Sequence, residues 1–202
     1  MGRGSSKAGG GGSIIVDPMQ ADEFFGREWN MALTSSEGTA VYDYADSGYM
    51  AVNQALWASG GDLNQISDTL TTDNEVNVKD EIRDLDNALS RATLKQNITV
   101  FRGDQGDIFG GMNADQINQN FKGRVFTNSG YSSSSISEQG VIGNNYLYRI
   151  QVPAGKGRGA FIRDNSPHFT EHEYLIKRDA RYKVVGASTQ NGQTVVDLRM
   201  LG

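Results

Sequence analysis

Apolar positions fall into two textures along this 202-residue chain. In the first half they recur every three or four residues. Beyond Asn97 they alternate. From Asp17, "DPMQADEFFGREWNMAL" places Pro18 at a first-turn position, which predicts a helix start. In "TAVYDYADSGYMAVNQALWASG", Tyr42, Ala45, Tyr49, Val52 and Leu56 step at helical spacing. "ADSG" at 45–48 predicts a break, with Ser47 placed to cap a second helix. "VKDEIRDLDNALSRA" is the clearest helix: Val78, Ile82, Leu85 and Leu89 form one stripe and the acids face outward. "ITVFRG" then alternates, and "YLYRIQVP" sets Tyr146, Tyr148, Ile150 and Val152 against Leu147, Arg149 and Gln151. "YKVVGASTQNGQTVVDLRM" reads as two strands joined by an Asn191-Gly192 hairpin turn. Helices first and strands afterwards predict an α+β fold rather than alternating α/β units.

The opening "MGRGSSKAGGGGS" has no apolar period. It predicts a flexible tail over residues 1–16, followed by a single domain over 17–202. Gly2 and Ser6 fit the N-myristoylation pattern, but a solvated leader is the favoured reading of a pattern so short and so common in such tails. An apolar fraction of 37%, with 8 Tyr, 8 Phe and 2 Trp, supports a real core. A net charge of −5 without a Lys/Arg cluster argues against a nucleic-acid partner, which needs a basic face. The absence of Cys excludes disulfides, a thiolate nucleophile and Cys-type zinc sites. No apolar run approaches a membrane span, and no apolar signal-peptide segment is visible.

Candidate chemistry lies in the second half. "HFTEHEYLI" (168–176) holds Glu171 and Glu173 two positions apart before an apolar strand. Like charges so close raise each other's pKa, as in two-carboxylate sites. In a strand, both would face one side and His172 the other. Arg102 ends "ITVFRG", and its planar fork suits a diphosphate; Gly103 would let a ligand approach the backbone. "GYSSSSIS" (130–137) offers hydroxyls that can orient a carboxylate or a sugar. No G-x-S-x-G is present, which argues against a serine hydrolase. "PAGKGRGAF" is Gly-rich but matches no phosphate loop, and reads as a turn. His168 and His172 are spaced for a metal only on a helix; the strand that follows makes them bystanders, and no metal is expected.

Each signal is short, but their order is specific. Helices, an Arg-ending strand, aromatic-Ser-Ser-Ser and Glu-x-Glu before a strand resemble the Arg–Ser–Glu type of mono-ADP-ribosyltransferase. That group includes actin-modifying binary-toxin enzymes and exoenzymes that modify small GTPases. The resemblance runs from about Asp17 to Leu201. It implies N-terminal helices packed on two antiparallel β-sheets, with NAD as co-substrate in the cleft between them. By the same resemblance, Glu173 is the anion that stabilises a cationic ribose, Ser133 holds Glu173, Arg102 grips the diphosphate, and Gly103 and Asn53 contact NAD. Glu171, with Phe169 beside it, would face a protein acceptor. In the family Glu-x-Glu goes with arginine acceptors, and a guanidinium suits a carboxylate.

Departures from the pattern accompany the match. Ser134 stands where the family has Thr, and Trp57 where several toxins carry Arg. Val141, Ile142 and Asn144 occupy a stretch where an aromatic residue and a phosphate-binding Arg are common. Arg149, Arg158 and Arg163 are candidate substitutes. The resemblance leaves three classes open: a transferase, an NAD glycohydrolase with water as acceptor, and a non-enzymatic binding relative. Partners beyond NAD and the protein acceptor would be a delivery system or an immunity protein. The chain would then be a toxin or effector secreted or delivered into a target cytosol, or a phage enzyme acting inside a bacterium.

Overall fold

The computed structural model describes residues 12–104, 108–141, 145–168, 170 and 172–202. Its N-terminal half is helical. Asp17 caps a 3₁₀ turn at Pro18–Gln20, which runs into α1 (Ala21–Phe25). Gly26 (φ 71) breaks the helix before α2 (Glu28–Met31). Thr34 and Glu37 form a reciprocal capping box at the start of α3 (Ser35–Asp43). α4 (Tyr49–Ala58) and α5 (Val78–Arg91) complete the layer, and the short α6 (Ala114–Asn120) packs on the sheet further along. The Val78–Leu89 stripe of α5 is buried as its spacing predicts.

"ADSG" does not end the helix. Tyr44–Gly48 forms a π-helical turn that carries α3 directly into α4, and Ser47 caps nothing. The extra residue changes the helical phase. Tyr42 and Tyr49, expected on the inner stripe, are therefore exposed, while Val41, Tyr44, Val52 and Leu56 are buried. The tail boundary also moves. Ser13 Oγ lies 2.8 Å from Thr99 Oγ1, Ile14 exchanges backbone hydrogen bonds with Asn97 and Thr99, and Val16 is in the core. Apolar side chains at 14–16 bind this segment to a strand, so the predicted flexible stretch does not reach residue 16.

The strands are β1 (Thr93–Leu94), β2 (Ile98–Asp104), β3 (Val125–Asn128), β4 (Ser132–Ser135), β5 (Tyr146–Val152), β6 (Gly155–Lys156), β7 (Gly159–Phe161), β8 (Glu173–Ile176), β9 (Ala180–Gln190) and β10 (Gln193–Met200). Eight of them form one hydrogen-bonded network in the order β3-β9-β10-β5-β2-β4-β8-β7, and β1 pairs with β6. The link between β2 and β4 is the single register pair Phe101↔Ser135. The network therefore behaves as two sheets, five strands and three strands, hinged at that point. All pairings in the network are antiparallel except β5 with β10, which run parallel. Asn191 (φ 50) and Gly192 (φ 82) make the two-residue hairpin that their sequence predicts.

Two large apolar cores follow from this division, beside a small cluster of Phe101, Leu147 and Val195. One lies on the five-stranded half with β7 and β8 residues, α1 and α6 around it: Val100, Ile117, Tyr148, Ile150, Val196 and Leu198. The other lies between the α3–α5 layer and the three-stranded half: Tyr44, Val52, Leu56, Ile82, Leu85, Tyr131 and Leu175. The hinge between the two halves faces the π-helical turn.

Candidate active site

A cavity of about 430 Å³ opens at that hinge. Its sheet-side wall consists of Arg102, Ser133 and Glu173, from β2, β4 and β8. Its helical wall consists of the π turn and α4, with Tyr44, Asp46, Tyr49, Asn53 and Trp57 among the residues presented. His168 closes one side. The size lies within the usual range for small-molecule sites. A larger, polar cavity of about 770 Å³ lies by the Asn191-Gly192 hairpin, but it gathers none of the candidate residues.

Each sheet-side residue is held by local geometry. Arg102 on β2 shares a face of the sheet with its register partner Tyr148 on β5, and its Nη1 donates to the Ser133 carbonyl at 2.7 Å. That bond ties β4 to β2 across the weakly paired hinge. Ser133 is half-buried with its hydroxyl toward the Tyr44 phenol, while the Ser134 hydroxyl points elsewhere and donates to the Tyr174 carbonyl at 2.6 Å. Glu173 opens β8 opposite Ser135 and is only 7% exposed. Its carbonyl accepts from the Ile162 amide at 3.1 Å. A carboxylate so little exposed, facing a cavity, is costly unless its charge is used or compensated.

The helical wall is fastened to the sheet by Asn53. Its Oδ1 accepts from the Tyr131 amide at 2.9 Å, and its Nδ2 donates to the Tyr131 carbonyl (3.3 Å) and to the Tyr44 hydroxyl (3.0 Å). Tyr131 is the residue before β4, so this clamp sets where Ser133 sits. Gly130 makes the approach possible: a Cβ there would lie 2.7 Å from Asn53 Oδ1 and 2.8 Å from Trp57 Nε1. The Trp57 indole donates to Asn128 at 2.9 Å. Behind Tyr131, its hydroxyl donates to Asp86 at 2.7 Å, and Asp86 is held by Arg178 at 2.9 Å. Burial, then the Asp86 charge, pushes the Tyr131 phenol well above its ordinary value. Burial does the same to Tyr44; the Glu173 charge adds to it, against the opposing effects of Asn53, Arg102 and Ser133. Tyr44 is therefore a neutral hydroxyl beside an acidic and a basic side chain.

Of the residues that the sequence singles out, the structure brings Arg102, Ser133, Asn53 and Glu173 together. Gly103 is not among the residues lining the cavity. Glu171 and Phe169 lie outside the described residues, as do Ile142 and Asn144. The strand-alternation argument for Glu171 and Glu173 does not hold. β8 begins at Glu173, and His172 is left-handed with φ 49, so the extended run that the alternation needs does not pass through His172. His168, expected as a bystander, is among the residues lining the cavity. The candidate substitute arginines point to other work: Arg149 pairs with Asp197 and Arg163 with Asp22, and neither these nor Arg158 line the cavity. Tyr44, Asp46, Trp57 and His168 were not legible as site residues. The sequence signal for the helical wall was Asn53, which the resemblance sets against NAD.

Among the described residues, no group of three or more His, Cys, Asp or Glu could hold a metal. No helix among them is long and apolar enough to cross a membrane.

Known proteins place this geometry. The ADP-ribosyltransferase exoenzyme family matches residues 25–201. The epidermal cell differentiation inhibitor of Staphylococcus aureus is 23% identical over 183 residues, covering 78% of this chain and 70% of that protein. The C3 exoenzyme of Clostridium limosum superimposes with a TM-score of 0.80 at 20% identity, covering 94% of this chain and 97% of that one. The S. aureus enzyme C3stau2, solved with NAD, gives 0.80 at 16% identity and 94% and 98% coverage. With the family spanning nearly the whole described fold, the chain belongs to the ADP-ribosyltransferase exoenzymes and is an NAD-dependent mono-ADP-ribosyltransferase acting on protein.

Proposed function

We propose that Glu173, Ser133 and Arg102 carry the transfer and that the acceptor is an arginine side chain. NAD supplies the ADP-ribose, with nicotinamide as leaving group and positive charge developing on the ribose. The Glu173 carboxylate, buried at the cavity wall, stabilises that charge; a fixed anion in a water-poor site is worth far more than one in water. Ser133 and the Asn53–Tyr131 clamp keep the wall in register with it. Arg102 binds the diphosphate through charge-assisted hydrogen bonds. Tyr49 and Trp57 offer aromatic surface at the rim to planar rings.

Glu171 and Phe169 serve the acceptor in this reading. The support for Glu171 is the Glu-x-Glu pattern and the fit of a carboxylate to a guanidinium. The exoenzyme family and its toxin-like relatives support a protein that is secreted or delivered to a target cell. The observation that carries the proposal is the convergence of Arg102, Ser133 and Glu173 from three strands on one cavity. Incubation with labelled NAD and a cell lysate tests it. A labelled protein band that is lost under conditions that cleave ADP-ribosyl-arginine is expected. A band that survives them contradicts the arginine assignment, and free ADP-ribose alone would identify water as the acceptor.

A further inference from the structure

Two buried carboxyl groups meet beneath the π-helical turn. Asp43, the last residue of α3, is 3% exposed, and Glu81, in the first turn of α5, is 1% exposed. Asp43 Oδ1 accepts from Asn74 Nδ2 at 2.6 Å. Asp43 Oδ2 and both Glu81 oxygens have no hydrogen-bond donor among the described residues. Ionised carboxylates only accept, so two of them here would leave three buried oxygens unsatisfied. One proton held between them supplies a bond that satisfies Asp43 Oδ2 and one of the two Glu81 oxygens. Burial first, then the charge and contact of Asp43, pushes the Glu81 carboxyl up to about 9.

Among the described residues, the surrounding charges offer no other partner. On α5, Lys79 is bound to Asp68, Arg83 to Asp80, and Asp86 to Arg178. On α3, Glu37 is bound to Arg91. The π turn contributes Asp46 and the neutral Tyr44, α4 contributes Tyr49, and the 73–75 loop contributes Asp73, Asn74 and Glu75.

Gly48 makes room for the pair. Its φ of −61 suits any residue, yet a Cβ there would overlap Asp43 Oδ2 and come within 3.0 Å of Glu81 Oε1. The glycine ends the same turn that places Tyr44, Ala45 and Asp46 on the cavity wall. From outside, Asn74 Nδ2 also reaches Asp46 Oδ2 and Ser47 Oγ, both at 3.3 Å. The turn is thus held from below by the carboxyl pair and from outside by one amide. We infer that Asp43 and Glu81 are positioning residues for the transfer reaction: sharing one proton under Gly48, they hold the π-helical turn in the shape that the cavity needs. The inference rests on the reading of that cavity as the NAD site.

The test compares wild type with Glu81→Gln, Glu81→Ala and Gly48→Ala in two measurements. The first is the denaturation midpoint between pH 5 and pH 9, which needs no NAD. A carboxyl raised above its unfolded value of 4.5 contributes stability below that value and loses it as pH rises toward about 9. Wild type should therefore lose roughly 5 °C or more relative to Glu81→Gln across this range. Parallel curves would overturn the shared proton. The second is KM for NAD. Glu81→Ala should raise it by roughly 10-fold or more, Glu81→Gln should restore it because an amide can donate to Asp43, and Gly48→Ala should resemble Glu81→Ala although Ala is the better helix former. Normal KM in both Ala variants would overturn the positioning role. A wild-type midpoint that rises when Ca²⁺ or Mg²⁺ is added to chelator-treated protein would place a cation, not a proton, between the pair. Absent NAD turnover in wild type would instead contradict the NAD reading, while the denaturation curves still judge the pair.

Discussion

Glu37 binds the start of α3 to the end of α5, and its charge can be removed with little change of shape. Its side chain is 5% exposed and accepts from Arg91 Nη1 and Nη2, each at 2.7 Å, and from the Thr34 amide at 2.8 Å. The Arg91 guanidinium, chiefly, holds the Glu37 carboxyl at about 2, against burial and with help from Thr34. The difference from its unfolded value of 4.5 sets a ceiling of about 3.4 kcal/mol at neutral pH, from about 1.36 kcal/mol per unit. Arg91 is 43% exposed, so solvent screening reduces the usable part to about 1–2 kcal/mol. Because the folded value is depressed, this stability is fully present above about 4.5 and disappears as pH falls through about 2.

Glu37→Gln keeps an oxygen for the Thr34 amide and loses the charge. Urea denaturation should show the variant less stable by about 1–2 kcal/mol at pH 7. At pH 3 the gap should shrink to less than half. A gap of equal size at both pH values would refute the electrostatic account and assign the loss to packing. The perturbed end of α3 lies away from the cavity, so NAD turnover at pH 7 should be unchanged.

Three further outcomes test the site itself. Arg102→Lys should raise KM for NAD by roughly 10-fold or more, since a point charge cannot reproduce a bidentate fork, and NAD titration checks it. Gly130→Ala should push Asn53 Oδ1 off the Tyr131 amide and lower kcat/KM by roughly 5- to 30-fold, read in a nicotinamide-release assay. Glu171→Gln should suppress protein labelling while leaving NAD hydrolysis substantial, because only transfer needs the acceptor; parallel loss of both would contradict that division.

The fold class was legible because two periodicities are cleanly separated along the chain. The α5 stripe and the Asn191-Gly192 hairpin are local signals that tertiary context did not override. The π turn was not legible, because one inserted residue leaves 42, 45, 49, 52 and 56 looking like a continuous stripe. Only packing decides that Tyr44 goes in and Tyr42 and Tyr49 stay out. The parallel β5–β10 pair is likewise a long-range choice with no sequence mark. Within the site, Arg102, Ser133 and Glu173 were readable as an ordered set. Their company was not: Asn53's clamp, His168 and Trp57 depend on residues far apart in sequence meeting at the hinge. At His172 the strand pattern misled, since a left-handed residue is invisible to alternation arguments.

The most direct measurement is the rate at which Glu173→Gln releases nicotinamide from NAD, set beside its affinity for NAD. The substitution keeps the shape of the cavity wall and removes its buried anion. Loss of one preorganised charge predicts a fall of about 10²- to 10³-fold in both transfer and hydrolysis, with NAD binding largely kept. Near-wild-type nicotinamide release by Glu173→Gln would contradict the claim that this carboxylate carries the reaction.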